Sequence, residues 1–200
     1  MSNVETTHSD GSLSDVPVTL PVTVEQYADL VAHGHFENAK GKIELINGRI
    51  VQVNPQGPQH ADPIDIFSEW SYQQVQQAFR IRIEKPLVLP SSSSTPEPDV
   101  AWVKRQSYAQ RHPGPEDILL VVEASVSSVA YDTGEKCDVY AQAGVPEYWQ
   151  INVPRRQIRV HRDPDGEAFR TITTHGVDES ISPVCLPEAT LRIGTLFDEG

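Results

Sequence analysis

Two carboxylates beside short apolar runs are the residues of this chain best suited to chemistry. Glu123 ends the run Ile118-Leu119-Leu120-Val121-Val122, and Asp99 precedes a second run, Val100-Ala101-Trp102-Val103. Aliphatic runs of this length are typical of buried strands. Because an unpaired buried carboxylate is costly, each acid should reach solvent or meet a cation. On paired strands the two acids would lie about 5 Å apart at the backbone, and they would offer hard oxygen ligands to a divalent metal.

A lysine further along the chain could join these acids. Asp132, with Glu135 three residues later, has the pattern of a helix start. Asp132, Lys136 and Tyr140 recur at intervals of four and would share one helix face. A lysine there could orient or deprotonate a metal-bound water, or neutralise charge on a phosphate. The alternative is that Asp132 only caps the helix and Lys136 is a solvated charge.

Composition limits the classes of protein that this chain can belong to. Its 200 residues suit one domain, and we predict a disordered tail over residues 1–18 and a single domain over residues 19–200. The net charge of −12 argues against a protein that coats polyanions. A local basic patch or a bound metal could still reverse the sign at one site.

The expected location is the cytoplasm. The N-terminus shows no secretory signal, and no apolar window approaches the roughly 20 residues that span a bilayer. We therefore expect no membrane association. Cys137 and Cys185 form no CxxC pair and are interpreted as free thiols in a reducing compartment.

Helices and strands alternate irregularly along the chain. A capping box at Thr23 predicts a helix over residues 24–33, and Asn47-Gly48 predicts a hairpin that joins residues 42–46 and 49–53. A second helix is predicted over residues 62–79, with Pro63 in its first turn, and a third ends at Gly144. Further strands are predicted around residues 81–83, 87–89, 99–103, 118–123, 147–153 and 157–161. This order predicts an α/β fold of the α+β type, with helices packed on a mixed sheet.

The order of sequence blocks resembles the Uma-two family of restriction endonuclease-like proteins, within the PD-(D/E)XK nuclease superfamily. The blocks are Glu44-Leu45-Ile46-Asn47-Gly48, His60, Pro98-Asp99, Glu123-Ala124-Ser125, Asp132, Lys136, Tyr140 and Gly144-Val145-Pro146-Glu147-Tyr148-Trp149. Together they cover about residues 22–161. The resemblance implies a restriction endonuclease-like core, a divalent metal, usually Mg²⁺ with Mn²⁺ as a substitute, and cleavage of phosphodiester bonds in DNA.

The resemblance also implies roles for particular residues. Asp99, Glu123 and the backbone carbonyl of Ala124 would hold the magnesium ion, and Lys136 would position the attacking water. The plain motif of the superfamily has a lysine two residues after the acid, where this chain has Ser125. We predict that Lys136 takes its place.

Several alternatives stay open. Glu44 could act on the metal or the water, or it could be an outward-facing charge of the hairpin. His60 could belong to the site, or it could be a helix cap or a surface residue. The acidity and Ser125 are also compatible with a catalytically inactive protein that uses a nuclease fold for binding or interaction. A homodimer would suit such a core, but no segment of the sequence marks an interface.

Overall fold

The computed structural model describes residues 20–75, 78–126 and 131–197, without the side chains of residues 131–133. The predicted tail over residues 1–18 lies outside the described residues. The elements are α1 (Val24–Ala32), β1 (Lys42–Ile46), β2 (Arg49–Val53), α2 (Pro58–Val75), β3 (Phe79–Ile83), β4 (Val100–Lys104), β5 (Ile118–Ser125), α3 (Tyr131–Gln142), β6 (Glu147–Asn152), β7 (Gln157–Pro164), β8 (Phe169–Gly176), β9 (Ser180–Ile181) and β10 (Leu191–Arg192).

A mixed sheet forms the centre of the fold. Its six strands follow the order β3-β4-β5-β6-β7-β8, and β1-β2 and β9-β10 form two small sheets of their own. The pair β5–β6 is parallel, whereas the other neighbours are antiparallel. A parallel pair needs a crossover connection, and α3 lies in that connection. The predicted α+β fold with a mixed sheet is confirmed.

Both faces of the central sheet are covered by apolar side chains. On one face Phe67 of α2 packs in one cluster with Trp102 and Trp149. On the other face Tyr140 of α3 and Ile46 of the hairpin belong to a second cluster. The buried strands β4 and β5 therefore carry apolar residues toward both faces, as their continuous apolar runs predict.

The local signals for α1 and the hairpin are confirmed. Thr23 and Gln26 form both hydrogen bonds of the capping box at the start of α1. Asn47 and Gly48 have φ of 49° and 71°, as a two-residue hairpin turn requires. Glu135 of α3 accepts hydrogen bonds from Asn47 and Arg49, so the hairpin is held against α3.

One predicted helix was wrong in its limits, and one predicted strand does not form. Helix α2 spans Pro58–Val75 rather than residues 62–79, because Pro58 takes the first position, where no backbone donor is lost, and Pro63 lies inside the helix. This start places His60 in the first turn, where its backbone N–H donates to the Gly57 carbonyl at 3.0 Å. Residues 87–89 form no strand of a sheet, since Leu89 makes only an isolated bridge with Ser94.

Candidate functional site

Asp99 and Glu123 lie at the same end of the central sheet. Val100 of β4 is opposite Val122 of β5. Asp99 directly precedes Val100 and Glu123 directly follows Val122, so both acids lie at the end of the sheet next to this pair. The backbone N–H of Ala124 donates to Asp99 Oδ2 at 2.8 Å. The side chains of Asp99 and Glu123 are 2% and 12% exposed, respectively. Both carboxylates are thus buried at the end of strands whose residues are almost entirely apolar.

Lys136 of α3 joins this pair of acids. Its Nζ lies 3.0 Å from Glu123 Oε1 and 3.1 Å from Glu44 Oε1, and its side chain is 16% exposed. Tyr140, one turn further along α3, donates from its hydroxyl to Glu123 Oε1 at 2.8 Å. The lysine is therefore part of a buried ionic cluster and not a solvated charge.

Glu44 points inward from the hairpin. Only 1% of its side chain is exposed, and its Oε1 also accepts a hydrogen bond from the backbone N–H of Glu97 at 2.8 Å. Its Oε2 is buried and has no hydrogen-bond partner within the described parts of the chain. A buried carboxylate oxygen without a donor is costly, so this atom is suited to a ligand or a water.

His60 contacts Asp99 and the strand that carries Glu123. Its Nε2 lies 3.1 Å from Asp99 Oδ2 and 3.1 Å from the carbonyl oxygen of Ala124. An Nε2–H donor therefore faces both oxygen atoms, and burial notwithstanding, the contacts with Asp99 raise the pKa of His60 above its usual value. His60 is only 6% exposed, so it lies in the cluster and not on the surface.

Two predicted residues remain, Ser125 and Asp132. Ser125 ends β5 and is half-buried. Asp132 lies in α3, but its side chain is outside the described residues, so its role stays a prediction.

Lys42 was missed by the sequence analysis. Its Nζ lies 3.8 Å from Asp99 Oδ1 and 2.6 Å from Glu84 Oε1. It stands two residues before Glu44 on β1, and this alternation along a strand is the signal that could have found it.

Glu44 and Glu123 line one cavity of about 470 Å³ between the hairpin and the sheet end, and Asp99 lies behind its wall, in contact with His60 and Ala124. Its walls include Glu44, His60, Glu123, Ala124, Ser125 and Lys136. The polar groups therefore converge on a concave space large enough for a small group such as a phosphate.

Burial and mutual pairing shift the ionisation of this cluster. Burial raises the pKa of Glu123 to about 7 against the opposing effect of Lys136, with Asp99 and Glu44 raising it further. Burial lowers the pKa of Lys136, but Glu123 and Glu44 outweigh it and hold the pKa above its usual range. For Asp99, burial acts upward, yet the hydrogen bond from His60 brings the pKa below its usual value.

The donor set fits a hard divalent ion in its chemistry. Asp99 and Glu123 supply carboxylate oxygens, and Ala124 supplies a carbonyl beside them. Glu44 adds the unpartnered Oε2 atom. No group of three or more His, Cys, Asp and Glu side chains suited to a metal occurs in the described parts of the chain. A metal here would need the carbonyl, water or a bound phosphate to complete its ligands.

The family of this chain follows from a comparison with known protein families. A family model described as "Uma2: Putative restriction endonuclease" matches residues 24–194. The chain therefore belongs to the Uma2 family, and the resemblance to the Uma-two family is confirmed.

A solved structure supports the same fold. The Anabaena variabilis ATCC 29413 protein described as "a putative nuclease belonging to DUF820" is similar with a TM-score of 0.71. The two share 17% identity over 88% of this chain and 98% of that chain, which shows the fold alone. None of the curated proteins matches this chain. Among the described helices, none is long and apolar enough to cross a membrane.

Proposed function

We propose that this protein is a metal-dependent endonuclease that hydrolyses phosphodiester bonds in DNA. The observation that carries the proposal is the position of the Lys136 ammonium between Glu44 and Glu123, on the wall of the cavity that Ala124 also lines. Two acids, a backbone carbonyl and an amine at one end of a nuclease-fold sheet have the residue types that phosphodiester hydrolysis needs. Membership of the Uma2 family supports this function.

In this proposal Asp99, Glu123 and the Ala124 carbonyl would hold Mg²⁺, for which Mn²⁺ could substitute. The bound ion would supply Lewis acidity toward a phosphate oxygen and lower the pKa of a coordinated water. Tyr140 fixes the carboxylate of Glu123 through its hydroxyl. The Ala124 N–H and His60 fix that of Asp99. These contacts orient both acids before substrate arrives, which is the main requirement for electrostatic catalysis.

Lys136 and Glu44 act on the water and the phosphate. The Lys136 ammonium stays protonated because two carboxylates face it, so it serves as a positive charge that orients the attacking water and offsets charge on the phosphate. Glu44 Oε2 is an acceptor without a donor and can take a hydrogen bond from that water. The water oxygen adds to phosphorus as the bond to the leaving oxygen breaks; one water proton passes to Glu44 Oε2, and the leaving oxygen takes a proton from solvent.

The test is cleavage of supercoiled plasmid in Mg²⁺ or Mn²⁺ by the wild type, Glu123→Gln, Lys136→Met and the surface control Glu167→Gln. We expect the first two variants to lose at least about a hundredfold in rate and the control to match the wild type. Removing Lys136 leaves two buried carboxylates without their cation, at a cost of about 3–5 kcal/mol, so circular dichroism must show each variant folded at the assay temperature. Equal cleavage by all four proteins would indicate a contaminating nuclease.

A second candidate function is a nuclease-fold protein that binds without cleaving. The observation in its favour is that Glu123 and Asp99 are already paired with Lys136 and His60, so their charges are compensated without a metal. Calorimetric titration with Mg²⁺ separates the two functions. Binding that disappears in Asp99→Asn supports the nuclease, and no binding by the wild type supports the alternative.

A further inference from the structure

A cluster of arginines surrounds one tyrosine at the edge of the central sheet. Arg80 and Arg82 come from the edge strand β3, and Arg111 comes from the segment after β4. Their guanidinium carbons lie 5.9, 5.6 and 5.7 Å from the centre of the Tyr108 ring. We call these four residues the arginine–tyrosine patch. At these distances each guanidinium is attracted to the ring, so Tyr108 holds three cations together.

Two of these charges have no counter-ion among the residues that the structure describes. Arg111 is paired with Asp117 at 2.6 Å and with Glu116 at 3.6 Å. Neither Arg80 nor Arg82 forms an ion pair with a carboxylate in the parts of the chain that the structure describes. Arg82 Nε is also buried without a hydrogen-bond partner there.

This arrangement costs stability in the protein alone. Like charges that lie close together repel, and burial lowers the pKa of Arg82, with Arg80 adding to the effect. A chain with a net charge of −12 has many carboxylates that could have been placed nearby. Violations of this kind are expected where a surface serves a ligand. An anion from outside the protein would supply the missing partner.

The patch lies on the same face of the sheet as the candidate site. Arg82 is opposite Ala101 and Arg80 is opposite Val103, and directly opposed residues of antiparallel strands share a face. Tyr108 packs against the same apolar cluster as Ala101 and as Tyr140, whose hydroxyl contacts Glu123, so the patch and the candidate site share that face. With a rise of about 3.4 Å per residue, the two arginines lie roughly 7 and 14 Å along the sheet from the level of Asp99.

We propose that the arginine–tyrosine patch binds the phosphate backbone of the nucleic acid substrate and holds it over the candidate site. Arg80 and Arg82 are about 7 Å apart along the strand, and guanidinium groups bind phosphate oxygens in a bidentate manner. The patch explains how so acidic a protein could bind a polyanion. The inference rests on the proposed function for the nature of the substrate.

The experiment measures binding of a labelled DNA duplex by fluorescence anisotropy at several salt concentrations in EDTA, where no metal-dependent cleavage occurs. The proteins are the wild type, Arg80→Gln/Arg82→Gln, and the charge-matched control Arg155→Gln/Arg170→Gln, whose arginines are exposed elsewhere. Each duplex phosphate contact contributes about 0.9 to the slope of log affinity against log salt. We expect the patch variant to bind at least tenfold more weakly, with a slope shallower by about 1.8.

Further variants keep the result interpretable. Arg80→Lys/Arg82→Lys retains the charges and should keep most of the salt dependence. If the glutamine double variant does not fold, the single variant Arg80→Gln, at an exposed position, should still make the slope of log affinity against log salt shallower by about 0.9. Poly-glutamate of the same charge serves as a second anion.

Three outcomes would overturn the inference. These are no duplex binding by the wild type, an equal loss in the patch variant and its control, or equally tight binding of poly-glutamate through the patch. Plasmid cleavage in Mg²⁺ is scored separately. DNA binding that depends on the patch but is not followed by cleavage would refute the proposed endonuclease function and support the role of the patch. Cleavage together with unchanged DNA binding by the patch variant would support the endonuclease function and refute the role of the patch.

Discussion

Lys136 Nζ lies 3.0 Å from Glu123 Oε1, although the lysine stands on α3 and not two residues after the acid on β5. The plain nuclease motif takes both residues from one strand. Here a helix that follows the strand supplies the amine, and the side chain reaches the same carboxylate. Glu123 therefore has a cation nearby even though Ser125 occupies the position of the motif lysine.

Moving the lysine back to the strand should restore cleavage. Residues 123 and 125 are two positions apart on one strand and therefore point to the same face, so a lysine at position 125 can approach the site from β5. We expect Ser125→Lys/Lys136→Met to cleave plasmid at least tenfold faster than Lys136→Met alone. The single variant Ser125→Lys is the control for changes at that position. If the double and single lysine-removal variants are equally inactive, Lys136 does more than replace the strand lysine.

Tyr140→Phe should lower the free energy of unfolding without leaving a cavity in the core. The substitution removes the hydroxyl that donates to Glu123 and keeps the buried ring. Above the Glu123 pKa of about 7 this hydrogen bond goes to a charged group, so we expect a loss of about 1.5–3 kcal/mol in the free energy of unfolding, measured with urea at about pH 8. Tyr72→Phe, at an exposed position of α2, should change stability by less than about 0.5 kcal/mol. A Tyr140→Phe protein as stable as the wild type would show that the hydroxyl contributes no net stability.

Glu123 should make the free energy of unfolding fall as pH rises from about 4.5 to about 7 when no metal is present, while His161, whose pKa burial lowers to about 4, acts in the opposite direction. Burial raises the pKa of Glu123 to about 7, so over this range the folded state keeps a proton that the unfolded state has lost. Stability decreases with pH wherever the folded state binds more protons. His60, whose pKa is also raised by Asp99 despite burial, acts in the same direction.

Urea unfolding at a series of pH values checks this prediction. Glu123→Gln should gain stability relative to the wild type as pH rises through this range, because the amide does not titrate, while Glu167→Gln should follow the wild type. The same pH dependence in Glu123→Gln and the wild type would show that Glu123 does not titrate in this range.

Mg²⁺ should stabilise the folded protein through Asp99 and Glu123. A ligand that binds only the folded state adds about 2.7 kcal/mol at a hundred times its Kd, which appears as a higher Tm in a thermal scan. Asp99→Asn should abolish the rise in Tm, whereas Glu167→Gln should retain it. An equal rise in Asp99→Asn would place the ion at another site.

The parts of the fold that local chemistry determines were predictable. The Thr23 capping box and the Asn47-Gly48 turn act within a few residues, and both appear as expected. The apolar runs around residues 100–103 and 118–122 also predicted the buried strands. The start of α2 was less determinate because two prolines, Pro58 and Pro63, each fit a first helical turn. The wrong choice left His60 outside the helix.

Long-range contacts decided the rest of the site. Alternation along Lys42–Ile46 does not reveal which face of the hairpin is buried, so the inward direction of Glu44 could not be predicted. It depends on Lys136 and on the backbone of Glu97, both far along the chain. The contacts of His60 with Asp99 and Ala124 likewise need the first turn of α2 to lie against the end of β5.

The ion pair between Glu44 and Lys136 joins residues 92 positions apart. During synthesis on the ribosome, the hairpin with Glu44 emerges well before α3 has been translated. A nascent or truncated chain that stops before residue 136 therefore lacks the amine between the two carboxylates, and whatever chemistry this cluster performs is withheld until translation has passed α3.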